Sequence, residues 1–303
     1  MTSGPIACTT DQHLLGEGAR WDTRRGELLR VDIMTGRVHR DRVTPDGALV
    51  PVRDYHVPGT VGAIAPVEGD EGWLLAANQG FVHLSPDGTL RPLVDVAPEQ
   101  NRMNDAACDP QGRFWAGTKA HDNRVGAAAL YRLDRNGEVA VMLDGLTISN
   151  GLGWSPDGGT MYLIDTIPGV VYAFAFDGER GTISDARVLI DMHDDDGAPD
   201  GMTVDAAGDL WVAIWGAGQV HRYSPDGLLS QVLHVPAVQT TSCAFAGPGL
   251  GWLYVTTATE DWTDQQRRAH PAAGLVYRFD TEATGRPAAP FRPDPNWWAT
   301  VSA

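Results

Sequence analysis

Cysteine is scarce. There are three residues, Cys8, Cys108 and Cys243, an odd number with no C-x-x-C spacing. That excludes a disulfide framework and a thiolate zinc site. Basic side chains are also in deficit, 23 against 39 acidic ones, for a formal charge of −16. Phosphate binding needs a basic face, so nucleic acid is excluded as a partner. No run approaches the roughly 18 apolar residues of a membrane-crossing helix, and Met1 to Leu15 has no apolar core of a secretion signal. The expected compartment is therefore the cytoplasm, with no membrane partner. The chain also lacks a G-x-S-x-G elbow, an H-E-x-x-H pair, a P-loop and a strand-linked G-x-G-x-x-G, and with them the chemistries those motifs serve. A sustained 3.6-residue apolar period is missing too, so helices are minor.

What is present is glycine (35), proline (20) and tryptophan (10), a composition of tight turns between short aromatic strands. Six strand-like segments open near Leu28, Trp73, Phe114, Met161, Leu210 and Trp252, spaced 41 to 49 residues apart. That is about the length of a four-stranded blade. A second apolar strand follows each, as in Gly80-Phe81-Val82-His83-Leu84 and Gly274-Leu275-Val276-Tyr277-Arg278-Phe279. Pro45-Asp46-Gly47, Pro86-Asp87-Gly88 and Pro225-Asp226-Gly227 then read as turns: proline presets one dihedral and glycine supplies a positive φ. The fold expected is all-β, a six-bladed β-propeller forming one domain over residues 1–303. The segment from Ile6 to Leu15 is expected to close the ring with the last blade. An insert from Glu260 to Pro271 reads as a short rim helix, and the tail 287–303 as irregular.

Ten or eleven residues ahead of each strand start lies a comparable position, at the head of the innermost strand. Across the six units it holds Glu17, Gly62, Asn104, Asn150, Asp200 and Ser242. Inner strands of a propeller run beside the central channel, so these positions meet near one mouth. Two carboxylates and two asparagines there are costly neighbours without a cation. The expectation is a central metal-binding channel. Glu17, Asn150 and Asp200 offer only oxygen, which suits Ca²⁺, Mg²⁺ or Mn²⁺, while availability also admits Zn²⁺ or Fe²⁺.

The stretches Leu15-Gly16-Glu17-Gly18-Ala19-Arg20-Trp21, Arg102-Met103-Asn104-Asp105, Ser149-Asn150-Gly151-Leu152, Pro199-Asp200-Gly201-Met202 and Thr241-Ser242-Cys243-Ala244-Phe245 together resemble the regucalcin/gluconolactonase/luciferin-regenerating-enzyme family. The resemblance runs over nearly the whole chain, in order and in register. It implies a six-bladed propeller with one divalent cation, Ca²⁺ foremost, and lactonase activity on sugar lactones. It further implies Glu17, Asn150 and Asp200 as metal ligands, Asn104 and Arg102 as substrate contacts, and Asp200 as general base or nucleophile. At Lys119-Ala120-His121 the chain departs from the methionine and acidic residue frequent in that family.

The chemistry expected is hydrolysis of an aldonolactone, the metal polarising the carbonyl and Asp200 drawing a proton from the attacking water. Arg102 reads equally as a substrate clamp or a salt-bridged surface residue. Lys119 and His121 read as a loop at the funnel mouth; as functional groups, Lys119 would favour an anionic substrate and His121 would shuttle protons. Asp194-Asp195-Asp196 lacks the spacing of a calcium loop and reads as solvated. Cys243 reads as a small buried filler. The competing functions are a phosphotriesterase or arylesterase, a non-hydrolytic biosynthetic step on the same scaffold, and a non-catalytic metal-binding propeller.

Overall fold

Strands that read as nearly continuous apolar runs must be covered on both faces, and the second strand of every repeat is. Trp73–Ala77 is buried at all five positions, and Leu210–Trp215 at all but the last. The outermost strands carry the polar residues; Thr182–Asp191 is exposed along most of its length. The computed structural model describes residues 4–193 and 195–302. It consists of six four-stranded antiparallel sheets, the six blades of a β-propeller. Their innermost strands are Gly16–Asp22, Val61–Pro66, Asn101–Cys108, Ser149–Trp154, Ala198–Val204 and Thr240–Ala246 for blades 1 to 6.

Blade 6 is built from both ends of the chain. Its outermost strand is Ile6–Ala7, which pairs with Tyr277–Asp280 at Ile6↔Arg278 and Ala7↔Tyr277. The closure expected of the N-terminal segment is therefore present.

Aromatic rings pack edge-on between adjacent blades. Trp211 of blade 5 meets Phe245 of blade 6 at 5.6 Å between centroids, and Trp115 of blade 3 meets Phe176 of blade 4 at 6.0 Å. Buried turn carboxylates tie such tryptophans down. Asp109 accepts hydrogen bonds from the backbone N–H of Gln111 and Arg113, from Arg113 Nη1 and from Trp115 Nε1. Asp205 does the same in blade 5 with Ala207, Asp209, Arg222 and Trp211. The Pro-Asp-Gly turns hold their glycines at positive φ, +79° at Gly47 and +81° at Gly227.

The insert in blade 6 forms a helix over Asp264–Ala269, opened by a capping box in which Thr263 and Gln266 satisfy each other's backbone N–H. The tail, expected to be irregular, runs across the face opposite that insert's mouth of the channel and then turns helical over Pro295–Val301. Asp294 caps this helix by accepting from the Asn296 N–H at 2.8 Å, and Pro295 occupies its first turn. Trp298 buries its ring against Phe291 and His83 and donates its indole N–H to Asp70 at 2.7 Å.

Candidate active site

The register of all six inner strands breaks close to the positions singled out above: between Glu17 and Arg20, Val61 and Ala63, Met103 and Ala106, Ser149 and Leu152, Pro199 and Met202, and Thr240 and Ser242. A bulge releases a residue from the ladder and re-aims its side chain. Asn104, Asn150 and Asp200 lie within their bulges, and Glu17 borders one. The strands converge tightly enough that blade 2 has no room for a side chain here: a Cβ on Gly62 would lie 2.2 Å from the Asn104 carbonyl oxygen.

One end of the channel opens into a cavity of about 270 Å³ lined by Glu17, Arg102, Asn104, Lys119, Asn150 and Asp200. Ser242 and Gly62 do not line it. Also on its wall are Thr166, Trp215, Glu260, Asp261 and the aliphatic side chains of Leu15, Ile33, Ile148 and Ile167. Arg102 is not a surface residue; it is 4% exposed. Its Nη1 donates to Asn104 Oδ1 at 2.7 Å and to the Met103 carbonyl at 3.0 Å. Asn104 Nδ2 donates to the Ser149 carbonyl at 3.0 Å.

Lys119 stands in the strand Phe114–Ala120 rather than in a loop, because that strand keeps its register with Asn101–Cys108 up to Asn101↔Ala120. His121 begins the loop beyond it. Its side chain is exposed and outside the cavity wall, and its backbone N–H donates to the Gln100 carbonyl at 2.9 Å. Asp195 and Asp196 are exposed and away from the cavity; Asp194 lies outside the described residues. Cys243 is buried with its Sγ 3.3 Å from the Trp211 carbonyl, and burial pushes its thiol far up.

Glu17 and Asp200 are both buried with few donors. Glu17 accepts from the Gly18 N–H at 2.9 Å, and Asp200 Oδ1 accepts from Asn150 Nδ2. Burial pushes both carboxyls well up; the charge of Asp200 and then of Asp105 adds to this at Glu17, and the charge of Asp105 adds to it at Asp200. Asn150 Nδ2 also donates to Thr166 Oγ1 at 3.1 Å, while Asn150 Oδ1 is buried with no partner. Among the described residues no three His, Cys, Asp or Glu side chains converge as a cation site. The set here is two carboxylates and an amide. An orphaned carbonyl oxygen beside two under-bonded, mutually repelling carboxyls fits a hard divalent cation.

Sequence reasoning missed Asp105, whose carboxyl is raised by burial and accepts from the Ala106 N–H at 2.7 Å. Its place beside Asn104 at an inner position was the available signal. Thr166, Trp215, Glu260 and Asp261 were also missed; they come from loops and strand ends that the repeat does not align.

The chain is similar to several known proteins. A sequence model described as the SMP-30/Gluconolactonase/LRE-like region matches residues 15–259. The chain is 37% identical over 284 residues to a pentonolactonase of Haloferax volcanii, covering 92% of this chain and 94% of that one. It is 34% identical over 289 residues to regucalcin of Xenopus laevis, covering 92% and 95%. Among solved structures, a calcium-binding protein, regucalcin, from Agrobacterium tumefaciens superposes with a TM-score of 0.89 at 30% identity, covering 96% of this chain and 97% of that one. The six blades, the inner-strand positions and these matches lead to one conclusion: this chain belongs to the SMP-30/gluconolactonase/LRE-like family.

Proposed function

We propose that the protein is a divalent-cation-dependent hydrolase that opens a sugar lactone. The observation that carries this reading is the trio Glu17, Asn150 and Asp200 from blades 1, 4 and 5. All three are buried at one channel mouth, Asn150 Oδ1 lacks a partner, and the two carboxyls are raised by their surroundings. These side chains would hold the cation, with Ca²⁺ first on the donor set. When bound, such an ion supplies Lewis acidity toward an ester carbonyl and toward water. The pentonolactonase among the relatives supports a sugar lactone as substrate, and the calcium-binding regucalcin structure supports the cation.

The chain's own groups would do the rest. Asp200 would accept the proton of the attacking water, its Oδ1 fixed by the Asn150 amide. Asn104 spends one amide hydrogen on the Ser149 carbonyl and keeps the other for a lactone oxygen. Arg102 Nη1 locks Asn104 in place, and the remaining guanidinium N–H groups would grip substrate hydroxyls. Leu15, Ile33, Ile148 and Trp215 narrow the cavity and exclude water around the reacting ester. The same apolar wall favours a second reading, an arylesterase.

The test is hydrolysis, by pH-indicator assay, of a panel of aldonolactones and aryl esters by chelator-treated protein with single divalent cations added back. We expect cation-restored turnover of an aldonolactone. In Asp200→Asn we expect a loss of about 10²- to 10⁴-fold, the range for removing a general base. Cation-restored turnover of aryl esters alone would move the assignment to the second reading, and stoichiometric cation binding without any turnover would overturn both.

A further inference from the structure

Arg102 and Lys119 are direct cross-strand partners in blade 3. Opposed residues of an antiparallel pair point to the same face with Cβ atoms about 5 Å apart, and like charges there are destabilising. Both side chains line the cavity, Arg102 fully buried and Lys119 half-buried. Neither makes an ion pair within 4.0 Å among the described residues; Arg102 spends Nη1 on an amide oxygen and a carbonyl, and none of the described residues hydrogen-bonds the Lys119 ammonium. Burial and then the Arg102 charge hold the lysine below its ordinary range, against the pull of Glu260, Asp200 and Asp261.

The acidic residues that could balance this pair, Glu260 and Asp261, follow the strand Trp252–Thr257 of blade 6. In a six-membered ring blade 6 is diametrically opposite blade 3. The mouth therefore carries two cations on one wall and two carboxylates across from it; Glu260 acts on both cations and Asp261 on Lys119, without a direct ion pair to either. Glu17 and Asp200 lie deeper and would be balanced by the cation proposed above.

Two like charges held side by side, mostly out of water and with no carboxylate in direct contact, are a standing cost that a bound anion relieves. We infer that Lys119, paired with Arg102, sets the specificity of this site for a lactone that carries a carboxylate substituent, seated against the blade 3 wall. The inference rests on the lactonase reading and adds to it the substrate class. A neutral sugar lactone could satisfy Arg102 through hydroxyls but would leave the ammonium unpaired.

The experiment compares kcat/KM for a neutral aldonolactone and for the corresponding aldarolactone, which bears a free carboxylate, using cation-loaded wild-type protein, Lys119→Met and Lys119→Arg. Wild-type protein should prefer the aldarolactone, and the preference should shrink as salt is raised. In Lys119→Met the ratio of the two kcat/KM values should fall about 10- to 100-fold, the loss of one hydrogen bond to a charged group. Lys119→Arg should retain most of the ratio. A purely structural role for Lys119 would change both kcat/KM values together and leave the ratio untouched, which would overturn the assignment. So would turnover of the neutral lactone in preference to the charged one, a result that leaves the lactonase reading standing. Turnover of neither lactone under any cation would sink both.

Discussion

Asp200 and Asp205 are five residues apart at one inner strand of blade 5, and they are almost equally buried, at 5% and 1% exposure. Their surroundings are opposite. Asp205 receives two backbone N–H groups, the Trp211 indole and the Arg222 guanidinium, four donors for one carboxylate. Asp200 receives one side-chain amide, the charge of buried Asp105 raises its cost of ionisation, and Asp200 and Asp105 together raise that of Glu17. Burial alone does not distinguish a structural carboxylate from a functional one. The donor count does: a carboxylate that the fold has already satisfied has no capacity left for a cation, and one that the fold leaves short is waiting for something.

The contrast can be broken most sharply at Asp205. Asp205→Ala strands the Trp211 N–H, two backbone amides and Arg222, and we expect a loss of about 3–5 kcal/mol in stability, read by denaturant unfolding. Asp200→Asn, by contrast, removes a buried charge and should raise the melting temperature of cation-free protein. Equal destabilisation by the two variants would erase the distinction.

A smaller effect comes from the cation itself. Ligand that binds only the folded state stabilises it by about 2.7 kcal/mol at 100 times Kd, so saturating Ca²⁺ should raise the melting temperature of the wild-type protein. Glu17→Gln should abolish most of that rise, because it replaces one of the two carboxylates in the donor set. An undiminished shift in Glu17→Gln would remove Glu17 from the cation site.

An effect of similar size concerns a third kind of buried titratable group, one satisfied only when neutral. His13 accepts from Arg30 and donates Nδ1–H to the Gly274 carbonyl at 2.8 Å. Next to it His39 bonds Asp54 at 3.0 Å, yet burial, Arg30 and His13 press it down to about 4. The unfolded chain binds a proton here near pH 6.5 and the folded chain only near 4, so stability is lost as pH falls through that window. The expected loss is on the order of 2–3 kcal/mol between pH 6.5 and 4. His39→Gln should flatten the profile over that range, and an unchanged slope would assign the acid sensitivity elsewhere.

The ring, its six units and the inward positions were legible because a closed propeller repeats both its apolar strands and the point at which each meets the channel. Glu17, Asn104, Asn150 and Asp200 could be picked out by aligning units, without knowing a single contact. What was hidden depends on register. That Arg102 faces Lys119 follows from a pairing across a bulge between Met103 and Ala106, and a bulge leaves no periodic mark in the sequence. The tail helix was legible in principle: Asp294-Pro295 is a cap followed by a first-turn proline, a start signal outside the repeat. Glu260 and Asp261 reach the cavity from an insertion, and insertions carry no repeat to align.

The two-residue strand Ile6–Ala7 has a consequence for synthesis. It is synthesised well before its partner Tyr277–Asp280, which follows roughly 270 residues later in the chain. At about 5–20 residues per second the wait is roughly a quarter of a minute to a minute. Through that interval blades 1 to 5 can form neighbour by neighbour, while the ring stays open. The final pairing is the clasp, and a chain stalled before it leaves Ile6–Ala7 without its partner strand and exposed to pairing with another chain.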